Sequence, residues 1–265
     1  MNIEITPIGV SAVASSGETT SFLVRIDEES ILIDAGSNSA RSIYDMGQRV
    51  EQLRVVYISH VHGDHMLGLP GLVFTRSVEE RASGYEFEPL RIVGDSSVIS
   101  AAKEALSLFY PERDFNVSFE TSVALEGKSG TAIALRTFEV DHAVPSYGLV
   151  ISIDGVPVLG FTSDTLPCEA LSRNLDGVQI ALVECFGTDE RFGAIARSAK
   201  HLTASDARRL AAEIKPVVAI PYHMHVPYQQ PGVDRDALLR ELGRTDGVSW
   251  MYPEVGIPIV VAVAP

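Results

Sequence analysis

Cysteine is scarce: Cys168 and Cys185 are the only two in 265 residues, and they do not form a CxxC pair. A thiolate zinc site and a disulfide framework are thereby disfavoured, and free thiols are expected. Long hydrophobic runs are missing as well, and no apolar stretch reaches the length of a bilayer span. The opening Met1-Asn2-Ile3-Glu4-Ile5-Thr6-Pro7 has neither the basic start nor the apolar block of a signal peptide. A cytoplasmic location is therefore expected. Basic charge is in deficit, 21 Lys and Arg against 35 Asp and Glu, for a net charge of −14. Proteins that bind nucleic acid in bulk show the opposite balance or a basic patch, so a small-molecule substrate is the expectation. No linker, low-complexity tract or internal repeat is visible, which suggests one domain over 1–265. Hydrophobic residues make up 46% of the chain, enough for a substantial core and too many for disorder.

Histidine, by contrast, is concentrated. Within His60-Val61-His62-Gly63-Asp64-His65, four of six residues are of the types that bind divalent zinc, directly after the apolar run Val55-Val56-Tyr57-Ile58. Four ligands on one loop exceed what a single tetrahedral ion with an open position can use. Two adjacent metals sharing the loop is the economical reading, with further ligands supplied from elsewhere. The other four histidines are His142 in Asp141-His142-Ala143-Val144-Pro145, His201 in His201-Leu202-Thr203, and His223 and His225 in Pro221-Tyr222-His223-Met224-His225. Most of these groups border an apolar run that reads as a strand, whereas His201 precedes a helical pattern. Strand ends gather on one rim of a sheet, where sites are usually built.

The pattern of apolar residues predicts alternating strands and helices. Strands are expected at 3–5, 21–26, 30–34 and 55–59, with helices at 39–53, 68–76 and 97–109. A second half is expected to start with strands at 91–93, 116–120 and 131–140. Strands 148–153 and 156–161 are joined at Asp154-Gly155, a two-residue hairpin signal. Further strands at 180–184 and 217–221 flank a helix at 203–214, and a helix at 234–242 and a strand at 257–263 complete the series. Helices outside two central sheets is the expected α/β architecture.

At this point the motif His60-x-His62-x-Asp64-His65 after a strand, with Ile33-Asp34-x-Gly36 upstream, resembles the metallo-β-lactamase fold, a four-layer αββα sandwich with metals at one edge of its sheets. The resemblance covers essentially the whole chain. Within that superfamily the sequence is similar to the tRNase Z-type and cyclic-phosphate phosphodiesterases. The similarity lies in Gly68-Leu69-Pro70-Gly71-Leu72 after the metal loop, in Val144-Pro145-Ser146-Tyr147-Gly148 after His142, in Thr162-Ser163-Asp164-Thr165, and in His201 placed 22 positions before His223. The resemblance implies that His60, His62 and His142 hold one zinc ion and Asp64, His65 and His223 the second, with Asp164 bridging. Manganese or iron could take the same positions. A water between two such ions loses a proton near neutral pH. It also implies His201 as the acid that protonates the leaving oxygen and Asp64 as a ligand belonging to the catalytic set. Asp206 or Ser205 could orient His201. His225 competes with His223 for one position, and the Ile220-Pro221-Tyr222 lead-in favours His223. Asp34 reads equally as an acceptor behind the loop or as a turn residue. Tyr147, Tyr222 and Phe186 line either the pocket or the core.

The tRNA-processing enzymes carry a long arm between the third-motif histidine and the bridging aspartate. Here His142 and Asp164 are only 22 positions apart, which leaves no room for it. The Gly-rich N-terminal loop of that group is altered too, reading Pro7-Ile8-Gly9-Val10-Ser11 and continuing through 12–16. The cysteine-rich structural zinc site of some cyclic-phosphate enzymes is missing. These departures point toward a small or nucleotide-type phosphodiester. An acyl hydrolase, such as a thioesterase or lactonase, would use the same site, and fold does not choose between them. Di-iron relatives differ at the position of His62 and carry a flavin domain, and a silent binding module would have lost a ligand. A homodimer is common among such relatives.

Overall fold

The computed structural model describes the chain except residues 13–16, 128–129, 226–231, 244, 246 and 264–265. The final part of the altered N-terminal loop, 13–16, thus lies outside the described residues. Strands β1 (Asn2–Gly9), β2 (Ser21–Ile26) and β3 (Glu29–Ile33) form an antiparallel meander. Helix α1 (Ser39–Asp45) and a 3-10 turn (Val50–Gln52) lead to β4 (Leu53–Tyr57), then α2 (Gly63–Met66), α3 (Leu69–Ser83), β5 (Leu90–Val93), α4 (Ser96–Phe109) and β6 (Val117–Glu120). The chain then crosses to β7 (Val123–Glu126), β8 (Ala132–Val140), β9 (Ser146–Ile153) and β10 (Val156–Phe161). Helix α5 (Glu169–Leu175), β11 (Ile180–Glu184), α6 (Asp189–Ala199), α7 (Ala204–Ile214), β12 (Val218–Tyr222), α8 (Val233–Leu242), β13 (Ser249–Trp250) and β14 (Ile259–Ala262) follow.

Two seven-stranded sheets result, ordered β14-β1-β2-β3-β4-β5-β6 and β13-β12-β11-β10-β9-β8-β7. The period-2 alternation of strand residues decides which core each joins. In β4, Val55 and Tyr57 face the second sheet, while Val56 joins Leu69, Leu72 and Val73 of α3, as does Leu53, which lies before an irregularity in the pairing with β3. The same division splits β3, with Ile31 and Ile33 between the sheets and Leu32 under the helices. On the far side, Leu171 and Leu175 of α5 and Leu210 and Ile214 of α7 cover the second sheet. This is the αββα sandwich expected from the sequence.

Several elements differ from expectation. Strands β5 and β6 extend the first sheet in parallel with β4 rather than opening the second half. Helices α3 and α4 act as the crossovers that parallel pairing requires. The last strand, β14, also returns to the first sheet, against β1. Helix α1 stops at Asp45, with Gly47 left-handed at φ 70, so the expected helix is replaced by a turn at 46–47, the 3-10 segment Val50–Gln52 and the first residue of β4. Helix α3 runs seven residues past the expected end and stops where Gly84 adopts φ 70. Helices α2, α5 and α6 and strands β7 and β13 stand where the sequence pattern predicts no element. The Asp154-Gly155 hairpin forms as read, with φ 50 and 83 at its two residues.

Two glycines of the Gly68-Leu69-Pro70-Gly71 segment have different standing. A Cβ on Gly68 would sit 2.1 Å from the carbonyl oxygen of Gly36, whereas one on Gly71 would meet nothing within 4 Å. Gly68→Ala is therefore expected to destabilise the fold by about 1–3 kcal/mol. Gly71→Ala, inside α3, should be neutral or stabilising by up to ~1 kcal/mol. Urea unfolding of the two variants checks this contrast.

Candidate metal centre

Each site residue stands just beyond the carboxyl end of a strand or at a helix start. His60 and His62 follow β4, and α2 presents Asp64 and His65 on its single turn. His142 follows β8, Asp164 follows β10, Glu184 ends β11, and His223 follows β12. His201 lies between α6 and α7. Asp34, Ser163 and His223 are held at positive φ of 57–59. Such backbone costs ~1–2 kcal/mol per residue and persists where surrounding structure fixes it.

Among the described residues the side chains converge into three overlapping groups that share Asp164, two of them built from the expected ligands and the third from Asp164, Glu184, His201 and His223. In the first, His60 Nε2 and His142 Nε2 each stand 3.2 Å from His62 Nδ1, and Asp164 Oδ2 is 3.7 Å from His60 Nε2. In the second, Asp164 Oδ2 lies 3.2 Å from His65 Nε2 and 3.1 Å from His223 Nε2. Asp64 Oδ2 lies 3.6 and 3.0 Å from the same two nitrogens. The edge of a tetrahedron around zinc with nitrogen ligands is about 3.3 Å, which the nitrogen spacings match. His65 Nε2 and Asp164 Oδ1 are buried without a hydrogen-bond partner, a costly arrangement unless something else satisfies them. The residues therefore fit a pair of divalent cations.

Behind the ligands, Asp34 is fully buried and accepts from the amide of Ser59 at 2.7 Å, its hydroxyl at 2.9 Å and His65 Nδ1 at 2.7 Å. The acceptor reading of Asp34 holds, since it orients His65; its backbone is left-handed, but the turn falls at 37–38 rather than at Asp34-Ala35-Gly36. Such outer partners fix ring orientation and raise ligand basicity. His201 Nδ1 is 2.9 Å from Glu184 Oε1 and 3.7 Å from Asp164 Oδ2. The contact with Glu184 is short but off the line of a good hydrogen bond. The other oxygen of Glu184 accepts from the amides of Leu202 at 2.9 Å and Thr165 at 3.3 Å. Phe186 stacks beneath the His201 ring, centroids 5.1 Å apart and planes at 14°.

Glu184, not Asp206 or Ser205, thus faces His201. Asp206 is spent on the capping box with Thr203, and Ser205 donates to Asp189 at 2.6 Å. The available signal for Glu184 was a carboxylate closing the otherwise apolar strand Ile180–Glu184, buried at 0% exposure. His225 stands outside both sets. Tyr222 belongs to the core, stacked on Phe161 at 4.9 Å, and Tyr147 lends its carbonyl to Tyr57 at 2.6 Å.

Burial pushes His60 and His142 below the ordinary imidazole range. Burial also opposes charge on His65 and His223, but neighbouring carboxylates outweigh it. Asp164 and Asp34 hold His65 well above its usual value, and Asp164, Asp64 and Glu184 raise His223 to about 10. Asp164 is correspondingly held well below the usual carboxylate range, by His223 and His65 against its own burial. In metal-free protein His60 and His142 are therefore neutral, while His65 and His223 carry protons that a cation must displace. Loading at pH 7 should release about two protons per chain, from His65 and His223, measurable by calorimetry in buffers of different ionisation enthalpy. The His223 contribution to stability is complete below the unfolded histidine value of 6.5 and lost as pH rises through about 10. Chelated protein should accordingly melt at falling temperature from pH 7 to 10, while metal-loaded protein should not.

Residues 3–230 match the family described as Anti-Pycsar protein Apyc1. A ribonuclease Z of Pyrococcus abyssi is 32% identical over 154 residues, covering 56% of this chain and 47% of the relative. The chain spans about half the length of the first curated relatives it matches. Among solved structures, the metallo-β-lactamase fold protein YhfI from Bacillus subtilis superposes with a TM-score of 0.79 at 18% identity, covering 98% of this chain and all of its own. The short form of human tRNase Z gives 0.76 at 16% identity, with the same coverage. These likenesses identify the fold.

Proposed function

The chain belongs to the Anti-Pycsar protein Apyc1 family, among the metallo-β-lactamase-fold hydrolases similar to ribonuclease Z, and from that premise we propose that it is a metal-dependent phosphodiesterase acting on a small or nucleotide-type phosphodiester. His60, His62, His142 and Asp164 would hold one divalent cation, and Asp64, His65, Asp164 and His223 the other. Zinc suits this nitrogen-rich set. Cations there supply positive charge that acidifies a bound water and neutralises phosphate oxygens.

The observation that carries the reading is the placement of His201. It stands beside both ligand sets and is not needed to complete either, and it forms with Asp164, Glu184 and His223 a further buried group of ligand-type atoms. Glu184 stands 2.9 Å from Nδ1 and would orient the ring, while Nε2 would give a proton to a departing alkoxide. Two further features support a small substrate. The whole span between His142 and Asp164 folds into the β9–β10 hairpin of the second sheet, which supplies no gripping arm. The net charge of −14 also repels a long polyanion.

A panel tests this reading: bis(p-nitrophenyl) phosphate, cyclic nucleoside monophosphates, a precursor tRNA, p-nitrophenyl acetate and a thioester, each with metal-loaded protein. Turnover of the diester and a cyclic nucleotide with about two metals per chain is the expected result. Acyl turnover alone would transfer the site to carbonyl chemistry, and protein that retains no metal would overturn the proposal.

A further inference from the structure

Lys200 ends α6 in the left-handed conformation, φ 62 and ψ 55, a backbone region that suits glycine and disfavours any residue with a Cβ. A lysine kept there invites a reason. Its carbonyl oxygen accepts from His142 Nδ1 at 3.0 Å. Its ammonium donates to Asp141 Oδ1 at 2.7 Å and approaches the His142 carbonyl oxygen at 3.4 Å. The residue that follows is His201. One residue therefore touches the His142 segment at three points and adjoins the histidine that faces the same centre.

We propose that Lys200 is a positioning residue for the first cation. Its carbonyl holds the proton of His142 on Nδ1, so that the Nε2 lone pair faces His62 and His60. Its ammonium clamps Asp141 and so fixes the loop that carries the ring. This rests on the reading that His60, His62 and His142 bind a metal. The ion pair is half-exposed, with side chains 39% and 48% accessible, and pairs of that kind contribute little to folding. Its benefit falls on the ligand instead.

The helix cap itself is made by main-chain groups: Lys200 N donates to Arg197 O at 3.3 Å and His201 N to Ala196 O at 2.8 Å. Glycine would retain both, together with the carbonyl on His142, and would relax the backbone. Lys200→Gly thus separates positioning from structure, because the two roles predict opposite signs. Zinc affinity of the tighter and weaker sites is read by competition with a chromophoric chelator, and melting temperature is read on the chelated protein. Lys200→Gly is expected to melt at or above the wild-type temperature, yet bind one of its two zinc ions about 10-fold more weakly. Lys200→Arg should restore affinity to within about twofold, since it keeps the ion pair. Asp141→Ala should reproduce the loss, and the double variant should add nothing to it. Wild-type affinity in Lys200→Gly overturns the proposal, as does a parallel fall in affinity and melting temperature. A wild-type chain that holds no zinc overturns the metal reading first, and is recognisable as that separate failure.

Discussion

Replacing Asp164 with alanine is expected to reduce hydrolysis to background and to weaken metal retention by more than the ~10–100-fold typical of outer-sphere changes. The carboxylate is the one group common to both ligand sets, within 3.7 Å of His60, His65 and His223. Removing it also strips two buried histidines of their counter-charge. Breaking a buried pair from one side costs about 3–5 kcal/mol when the remaining charge stays. Here imidazole can escape by releasing its proton. His223, raised to about 10 in the metal-free chain, should therefore fall toward or below its ordinary value in the variant. Metal content by emission spectrometry and the His223 titration by NMR check the two halves. Full metal loading in Asp164→Ala would refute the shared-ligand arrangement, and so would Asp164→Asn with undiminished turnover.

The second large effect concerns His201. His201→Ala should retain its metals and lose about 10²–10⁴-fold in turnover of a nucleotide diester, the range expected of a positioned general acid. The loss should be far smaller for bis(p-nitrophenyl) phosphate, whose leaving group departs as a stable phenolate without a proton. That dependence on the leaving group separates proton donation from mere binding. Glu184→Gln should show a smaller loss in the wild-type background, and the part that acts through His201 should vanish on top of His201→Ala, leaving the part that acts through His223 Nδ1 at 3.6 Å. Equal losses on both substrates would remove His201 from the proton-donor role.

How much of this was legible in the sequence depends on what each residue touches. The loop His60–His65 announces itself because its ligands are contiguous, and hairpin β9–β10 because Asp154-Gly155 dictates its own turn. Helix α3 was cut short because its polar outer face weakens the apolar signal after Arg76, and only Gly84 ends it. Strands β5 and β6 belong to the first sheet although the sequence pattern assigns them to the second half, because a parallel strand reads as a bare apolar run, silent about its partner. Glu184 escaped notice for a related reason. One carboxylate among many has no local pattern, and its importance appears only when β11 brings it under His201 and the amides of Thr165 and Leu202. Asp206 illustrates the converse, since a nearby acid had a duty to its own helix. Lys200 is readable only in three dimensions, from its left-handed backbone and its contacts with Asp141 and His142.

The distribution of ligands between the layers has a final consequence. His60, His62, Asp64 and His65 issue from the first sheet, and His142, Asp164 and His223 from the second. Cations bound among them would be rivets through the sandwich, reinforcing at one edge the apolar contact and the few hydrogen bonds, such as Tyr57 to the Tyr147 carbonyl, that already join the two halves. Free metal at about 1,000 times the dissociation constant would add roughly 4 kcal/mol per site to the folded state. The mechanical integrity of the fold is then set partly by the ion supply around it, and a chain starved of metal would open first along the seam where it is meant to work.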